Sequence, residues 1–382
     1  MKVTVKYDEL VQLLGFAGTV LSDKSVEDKM KNIIFQVTEG SLRVVGYNAF
    51  TFCRNEVEDV VTEDIPGNGW DFQVKYGGLT KILSSYSSLS RTAVEGIDFE
   101  LDGVKVKMTV HEVAKDEADS RLSQNSVFNL ENIPILSSVS KEIAMEYPEG
   151  SDVVESADLS LYIESLLPLM NNDSASKSDS KLNFADDYVF VMSAQMSSYI
   201  KNRLPDSFKN LTLSYSSISF LKKLTENTSH INICRLDKYL CIQSEKVEAF
   251  MKYQHIKIKY SAYLNKLDTT KGIVVDRVYL KEVLKRMSSV DPNGKMYITE
   301  DGILEVVNSG FSQPIVLNKV KEGTGGIAFN VSANFFEKAM IGRDELFSPE
   351  VFIYFVPSSR GYMVFMMDKT GVWLSNTSVT RA

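Results

Sequence analysis

The chain has 382 residues, 44% of them hydrophobic, and a formal net charge of −8. This length is too great for one ordinary core and predicts two or three domains. The apolar runs are too short for a transmembrane helix and the first residues contain no signal-peptide core, so we expect no membrane partner. Three cysteines are too few for a disulfide framework, which favours a cytoplasmic location. The negative charge disfavours a protein coated in nucleic acid but permits one local basic surface.

One pattern recurs six times along the chain: an extended lead-in, a short helix with apolar residues at helical spacing, and two or three alternating strands. The first helix has a predicted buried face of Leu10, Leu13, Leu14 and Ala17, spaced i, i+3, i+4 and i+7. The corresponding face in the third repeat is Ile163, Leu166, Leu167 and Met170. Predicted turns between strands lie at Glu39-Gly40, Asp102-Gly103, Asp186-Asp187 and Asp301-Gly302.

Each repeat has about 45 to 60 residues, too few to bury a helix and a sheet face alone, so we expect the repeats to pair. Less patterned stretches at 115–148 and 257–271 separate the pairs. The sequence therefore predicts an α+β protein of three similar domains, at 1–128, 129–262 and 263–382. Chance repetition of short helix–strand units is the alternative, but spacing, order and turn residues agree in all six copies.

The two ends of the chain carry a family resemblance. The start, MKVTVKYDEL, has a Met-Lys-apolar-apolar opening; a leucine-rich helix follows, Asn32 opens a strand, and Gly40 and Leu42 open the next. Near the other end stand SANFFEKAM and EVFIYF. In these features the chain resembles the bacterial-type DNA polymerase sliding clamp, the β subunit family, in a form divergent enough to suggest a bacteriophage. Family members usually carry a Thr-Asp-Gly-His-Arg-like turn in the middle domain, where this chain reads SAQMSSYIKNR.

The resemblance implies the DNA-clamp fold: three similar domains, each of two helix–strand units, with helices inside and antiparallel sheets outside a ring. Two chains joined head to tail would close such a ring. It also implies four kinds of partnership: duplex DNA held non-specifically by its phosphates, the DNA polymerase and a clamp loader bound through short peptide motifs, and a second copy of the chain. We expect one subunit edge in the first domain, near the strands SLRVVGY or VKVKMTV, and the other in the third domain.

A channel around DNA needs cations that make weak, non-specific phosphate contacts. The stretch RVYLKEVLKRM supplies Arg277, Lys281 and Lys285 at i, i+4 and i+8 beside an apolar face. Further predicted DNA contacts, on or beside the other helices, are Lys29, Lys31, Lys81, Arg91, Lys222, Lys223 and Lys338. Ordinary solvated helix faces carry such residues too, and both interpretations stay open.

The family binds partner peptides in an apolar cleft between its middle and C-terminal domains. By alignment of the repeats, the predicted walls of this cleft are Met196, Tyr199, Ile258, Tyr260, Met363, Trp373 and Leu374. Anchoring of this kind needs a few apolar hot-spot side chains. An equally open interpretation of Trp373 is a strand residue that packs on its own sheet.

Catalytic and metal-binding motifs are missing from the sequence. His111, His230 and His255 stand apart, with no zinc-ligand spacing. Cys234 and Cys241 lie on adjacent predicted strands, which indicates buried thiols packed in a hairpin. No phosphate-binding glycine loop and no nucleophile elbow occurs. We therefore expect a protein that is not an enzyme and has no catalytic residue, no metal and no cofactor.

Two other functions remain open. A monomeric polymerase accessory protein of clamp-like fold would hold DNA on a basic face without encircling it, and would bind short linear DNA with a steep salt dependence. A structural phage protein built from β repeats would show no dependence on DNA.

Overall fold

The structure is a computed structural model, which describes residues 1–21, 31–88, 91–102, 104–116, 121–170, 181–193, 196–245, 247–257, 260–340 and 348–382. Its helices and strands follow the six predicted repeats. The elements of the first two repeats are β1 (Lys2–Lys6), α1 (Tyr7–Leu21), β2 (Asn32–Thr38), β3 (Ser41–Tyr47), β4 (Thr51–Glu58), β5 (Val61–Glu63), β6 (Trp70–Lys75), α2 (Tyr76–Ser84), β7 (Thr92–Asp102) and β8 (Lys105–Ala114). Two elements follow before the third repeat, β9 (Gln124–Glu131) and α3 (Ser137–Ile143).

The third and fourth repeats have the same order of a strand, a helix and a hairpin series. Their elements are β10 (Asp152–Glu155), α4 (Ser156–Leu166), β11 (Lys181–Phe184), β12 (Tyr188–Met192), β13 (Met196–Lys201), β14 (Leu211–Ser214), α5 (Tyr215–Thr225), β15 (His230–Leu236), β16 (Tyr239–Gln243) and β17 (Val247–Lys252). The short helix α6 (Ser261–Leu264) precedes the fifth repeat.

The last two repeats complete the chain. Their elements are β18 (Gly272–Asp276), α7 (Arg277–Ser288), β19 (Asn293–Ile298), β20 (Ile303–Asn308), β21 (Phe311–Val316), β22 (Lys319–Val320), β23 (Ala328–Ser332), α8 (Ala333–Ala339), β24 (Glu350–Ser358), β25 (Gly361–Asp368) and β26 (Trp373–Thr380). The six predicted helix–strand repeats are thus confirmed as elements.

The chain divides into two compact units. Unit 1 comprises Met1–Ser156 and Ser219–Tyr253, and unit 2 comprises Ala157–Ile218 and Gln254–Ala382. Each unit combines segments from different predicted domains, so the division at 1–128, 129–262 and 263–382 stays a prediction.

Unit 1 contains a five-stranded sheet, in the order β5-β1-β7-β8-β9, and an eight-stranded sheet, in the order β10-β15-β16-β17-β4-β3-β2-β6. The eight-stranded sheet is joined in its middle by the antiparallel pair of β17 with β4. Unit 2 has a nine-stranded sheet, in the order β14-β11-β12-β13-β26-β25-β24-β18-β22, joined by the antiparallel pair of β13 with β26. Its four-stranded sheet has the order β21-β20-β19-β23.

The first helix packs on the eight-stranded sheet as its sequence pattern predicts. Leu10, Leu13, Leu14 and Ala17 are all buried. Gly46 on β3 permits this close approach, because a Cβ at that position would lie 2.7 Å from the Cα of Ala17. The side chains on either side of Gly46 therefore point to the opposite face of the sheet, away from α1.

Two details of the structure differ from the prediction or go beyond it. Helix α4 ends at Leu166, and a 3₁₀ turn over Leu167–Leu169 replaces the last predicted helical turn. Pro168 explains why the α-helix ends here, since proline lacks the N–H that an α-helix interior requires. Leu167 is only half-buried as a result. The less patterned stretch 115–148 contains β9 and α3, which the sequence did not indicate.

Candidate DNA-contacting helices and partner surface

Helix α7 carries the cationic stretch, and its start is fixed by a side-chain cap. Asp276 accepts a hydrogen bond from the backbone N–H of Tyr279 at 2.8 Å, which satisfies one N–H group that the first turn leaves free. The predicted apolar face is fully buried at all four positions, Leu280, Val283, Leu284 and Met287. The opposite side, with Lys285 and Arg286, is exposed.

The exposed cations of α7 lie beside carboxylates. Nζ of Lys285 is 3.7 Å from a carboxylate oxygen of Glu337 on α8, and a guanidinium nitrogen of Arg286 is 3.2 Å from an oxygen of Glu282 one turn earlier. Lys281 is half-buried. Exposed pairs of this kind contribute about 1 kcal/mol or less, so each cation can turn toward another anion at little cost.

Arg277 does not belong to this exposed row. Its side chain is 0% exposed, and its backbone N–H donates a hydrogen bond of 2.7 Å to the carbonyl oxygen of Pro349. A guanidinium buried to this degree cannot reach a DNA phosphate in this conformation. The structure therefore contradicts the prediction that Arg277 contacts DNA.

Other predicted DNA contacts lie in unit 1. Lys81 on α2 and Arg91 after it are exposed, and Lys223 on α5 is half-buried. Within the described part of the chain, none of these three forms an ion pair. Nζ of Lys222 is 3.7 Å from a carboxylate oxygen of Glu226 one turn later.

The remaining three predicted DNA contacts are Lys29, Lys31 and Lys338. Lys31 is half-buried immediately before β2. Lys29 lies outside the described residues, and for Lys338 on α8 only the backbone is described. DNA contact by every predicted cation other than Arg277 stays a prediction.

An apolar patch on one face of the nine-stranded sheet is the candidate partner surface. Tyr199 and Leu374 are buried opposite each other in the β13–β26 pair, and Tyr260 and Met363 pack against them, partly exposed. We call this set the unit 2 patch; its other buried members are Ala185, Phe190, Met192, Tyr354 and Phe365. Four of the seven predicted wall residues thus meet in one cluster.

The segment after β17 lies on this patch. The ring centroid of Tyr260 is 4.9 Å from that of Phe190, which stacks in turn on Tyr199 at 5.5 Å. Burial, followed by the nearby carboxylates of Asp187 and Asp186, raises the pKa of Tyr260. The patch therefore combines an aromatic floor with an acidic neighbourhood on one side.

The other predicted wall residues do not join the patch. Trp373 is 0% exposed and lies opposite Ile200, and its indole N–H donates to the hydroxyl oxygen of Ser375 at 3.1 Å. Met196 is buried on that same face of the sheet, because it is an even number of residues from Ile200. Trp373 and Met196 thus lie on the sheet face opposite the unit 2 patch, so the seven predicted wall residues do not all line one surface. Ile258 lies outside the described residues.

The sequence prediction missed much of the patch. Phe190 and Phe365 are fully buried in it, and Ile256, Leu264 and Leu267 pack on it, partly exposed. The signal was available, because side chains alternate along a strand. Phe365 follows Met363 by two residues on β25, which places both on one face.

Histidine 111, which stands alone in the sequence, has charged and polar partners in the structure. Its Nε2 is 2.8 Å from a carboxylate oxygen of Asp98, and its Nδ1 is 3.0 Å from the amide oxygen of Asn125. Asp98 is buried. Burial alone would raise the pKa of Asp98, but hydrogen bonds from Thr4, His111 and Lys2 outweigh it and hold that pKa below its ordinary value.

The described residues contain no group of three or more histidine, cysteine or acidic side chains placed to hold a metal ion. Cys234 and Cys241 lie opposite each other on β15 and β16 and are both buried as free thiols, which confirms the predicted hairpin packing. Burial and the neighbouring Cys234 thiol raise the pKa of Cys241 to about 12. No helix in the described part of the chain has the length and hydropathy to cross a membrane.

Comparison with solved structures finds matches along the whole chain. The DNA polymerase sliding clamp from Bacillus subtilis matches at a TM-score of 0.77 and 12% identity, over 100% of this chain and 99% of that one. The sliding clamp from Caulobacter crescentus matches at 0.76 and 11%, over 100% of both chains. DNA polymerase III β subunit from Thermotoga maritima matches at 0.73 and 16%, over 100% and 99%. No family model and no curated protein matches the sequence. The chain therefore has the fold of the bacterial DNA polymerase sliding clamp.

Proposed function

We propose that the chain is a DNA sliding clamp, a processivity factor that does no chemistry itself. Two copies would close head to tail into a ring around duplex DNA and tether the replicative DNA polymerase in the bacterial cytoplasm. The observation that carries this proposal is the likeness in fold to sliding clamps over the full length of the chain. At 11 to 16% identity that likeness establishes the fold, and the function is inferred from it.

The cations on or beside the helices support weak, mobile contacts with DNA phosphates more than tight, fixed ones. Lys222 and Lys285 each lie 3.7 Å from a carboxylate oxygen, so part of their attraction for phosphate is offset. Lys81 and Arg91 are exposed side chains that can follow a moving phosphate. A protein that moves along DNA needs many weak phosphate contacts and no base recognition.

The unit 2 patch supports the second half of the proposal, the tethering of the polymerase and of a clamp loader through short peptides. Its floor of Tyr199, Phe190 and Leu374 is buried, while Tyr260 and Met363 remain partly exposed at the surface. Aromatic and methionine side chains are the usual anchors of peptide recognition. Asp186 and Asp187 near Tyr260 favour a peptide with a basic residue beside its apolar anchors.

A retention experiment on circular DNA tests the proposal. The protein is diluted until it dissociates and is then concentrated with a nicked circular plasmid, so that rings which close around the DNA are trapped. We expect protein to co-elute with the circle in gel filtration and to be released when one restriction cut makes the plasmid linear, because a ring slides off a free end.

The same experiment separates the alternatives. Retention on linear DNA equal to that on the circle, with a steep loss as salt rises, would support the monomeric accessory protein instead. No retention on either form would support the structural protein. A Lys81→Gln/Arg91→Gln/Lys223→Gln variant should be retained on the circle for a shorter time, since it loses three cations that form no ion pair within the described residues.

A further inference from the structure

Unit 1 carries a counterpart of the unit 2 patch, on the matching strands of its own sheet. The join of β13 with β26 places Tyr199 opposite Leu374, and the join of β17 with β4 places Phe250 opposite Phe52. The rings of Phe52 and Phe250 have centroids 5.9 Å apart. We call the surrounding cluster the unit 1 patch; its members are Ile34, Val45, Phe52, Cys234, Cys241 and Phe250, with Tyr47 and Tyr239 at its margin.

The unit 1 patch is covered by the chain itself, through the segment 135–147 that contains α3. Val139 on α3 is 6% exposed and belongs to the cluster. Ile135, Met145 and Tyr147 pack on it at either end. In unit 2 the covering residues are all only half-buried: Ile256, Tyr260, Leu264 and Leu267. Val139 therefore gives the cover of unit 1 a buried anchor, which the four cover residues named in unit 2 do not provide.

An ion pair and a hydrogen bond, both made by Glu142, hold the segment 135–147 on the unit 1 patch. A carboxylate oxygen of Glu142 lies 2.9 Å from Nζ of Lys252 and accepts a hydrogen bond of 3.1 Å from the hydroxyl of Tyr239. Burial and the Glu142 carboxylate raise the pKa of Tyr239 to about 12, so the phenol keeps its proton and remains a donor. Glu142 follows Val139 by three residues on α3, which puts the apolar anchor and the acid on one helix face.

We infer that the segment 135–147 is an internal ligand that fills the unit 1 patch, so that each chain offers one open peptide site instead of two. The part of this inference that concerns partner peptides rests on the proposed clamp function. The geometry also defines what the unit 1 patch accepts: a short helical peptide with an aliphatic residue and, three residues later, a carboxylate. Lys252 and Tyr239 bind the carboxylate, and the aliphatic side chain packs on Phe52 and Phe250.

The test uses the segment itself as the probe. A synthetic peptide of residues 132–148, labelled with fluorescein, is titrated with the full-length wild-type chain and with a Val139→Asp/Glu142→Ala variant whose internal segment is weakened. In the wild type the tethered segment competes at an effective concentration of roughly millimolar. We expect the variant to bind the peptide at least tenfold more tightly than the wild type does.

Amide hydrogen exchange shows whether the segment 135–147 has dissociated from the unit 1 patch in the variant. In the variant, the amides of α3 should lose protection while those of β16 and β17 keep theirs. If α3 stays protected, Val139 and Glu142 do not hold the segment and the inference fails. If α3 is released and the peptide binds no better than to the wild type, the surface beneath it is not a docking site and the inference fails equally.

Two further variants locate the bound peptide. A peptide carrying the same Val139→Asp and Glu142→Ala changes should not bind the released chain. Adding Lys252→Ala to the released chain should weaken binding of the wild-type peptide at least threefold, because the peptide's carboxylate loses its cation; unchanged affinity would place the peptide elsewhere. None of these readouts depends on retention on circular DNA, so a failure of the clamp proposal would be seen separately.

Discussion

At the scale of single residues, the side chain of Asp98 on β7 has three polar partners on the neighbouring strands. Its carboxylate accepts a hydrogen bond of 2.7 Å from the hydroxyl of Thr4 on β1 and lies 3.1 Å from Nζ of Lys2. His111 on β8 approaches it from the other side. One carboxylate thus links three neighbouring strands of the five-stranded sheet, and its depressed pKa indicates that the charged form is the stabilised one.

We expect Asp98→Asn to lower the free energy of unfolding by about 2 kcal/mol at pH 7, because the charge-assisted hydrogen bonds are weakened. The folded pKa lies below the unfolded value of about 3.9, so the wild-type contribution is complete above that pH and is lost as the pH falls through the folded pKa. Urea unfolding of both proteins from pH 7 downward measures this. The difference between them should shrink below about pH 4; a constant difference would contradict the assignment.

Asp152→Asn is the matched control for this series. Asp152 is an exposed carboxylate on the edge strand β10, and its replacement should change the unfolding free energy by about 0.5 kcal/mol or less at any of these pH values.

Arg277 and Trp373 show why part of the candidate site was mispredicted from the sequence. Arg277 precedes Leu280 by three residues and Leu284 by seven, a spacing that places it on the buried face of α7; its charge alone suggested the exposed side. Trp373 and Leu374 are adjacent in one strand, so they cannot face the same cleft. In both cases the prediction followed the type of residue. Helical spacing for Arg277 and strand alternation for Trp373 each indicate the face that the structure shows.

At the scale of elements, the repeat was predictable because local signals agreed. Helical spacing, alternating strands and turn residues such as Gly40, which has φ +75°, each indicated the same boundaries. Helix α3 was not predictable in this way. It has seven residues, too few for a periodic signal, and Val139 and Glu142 hold it through contacts with strands about a hundred residues away in the chain.

At α7, we expect the buried apolar side chains, and not the exposed charges, to determine the contribution of the helix to the free energy of unfolding. Leu284→Ala removes a fully buried side chain and should lower the free energy of unfolding by about 2 to 5 kcal/mol. Lys285→Gln removes one member of an exposed ion pair and should change it by less than about 1 kcal/mol. Chemical denaturation of both variants measures the contrast. Equal effects would show that α7 is held by its charges.

At the scale of the whole molecule, the joins between strands far apart in the chain were beyond prediction. The pair β17–β4 unites residues 247–251 with residues 51–55, and no local pattern specifies such a partner. The expected subunit edge of the first domain, near SLRVVGY or VKVKMTV, stays a prediction. SLRVVGY forms β3, between β4 and β2, and VKVKMTV lies in β8, between β7 and β9; neither strand has a free edge for a second copy.

Two of the edge strands among the described residues are β9, which ends the five-stranded sheet, and β21, which ends the four-stranded sheet. Each exposes an apolar side chain: Val127 on β9 is 54% exposed and Val316 on β21 is 80% exposed. An open edge with apolar residues is the usual template for pairing with another chain. A head-to-tail ring needs two different edges of this kind on each copy, and we propose β9 and β21 as these edges.

Light scattering tests this assignment. The wild-type protein should have twice the 42.9 kDa mass of one chain at micromolar concentration. Val127→Asp should weaken the dimer at least about tenfold, equivalent to about 1.4 kcal/mol, because the aspartate would be buried without a partner at the paired edge. The control is Val153→Asp on the edge strand β10, where the side chain is 64% exposed and the dimer mass should persist. A wild-type monomer would exclude the ring, whereas a Val127→Asp dimer as tight as the wild type would keep the ring and move its interface to other strands.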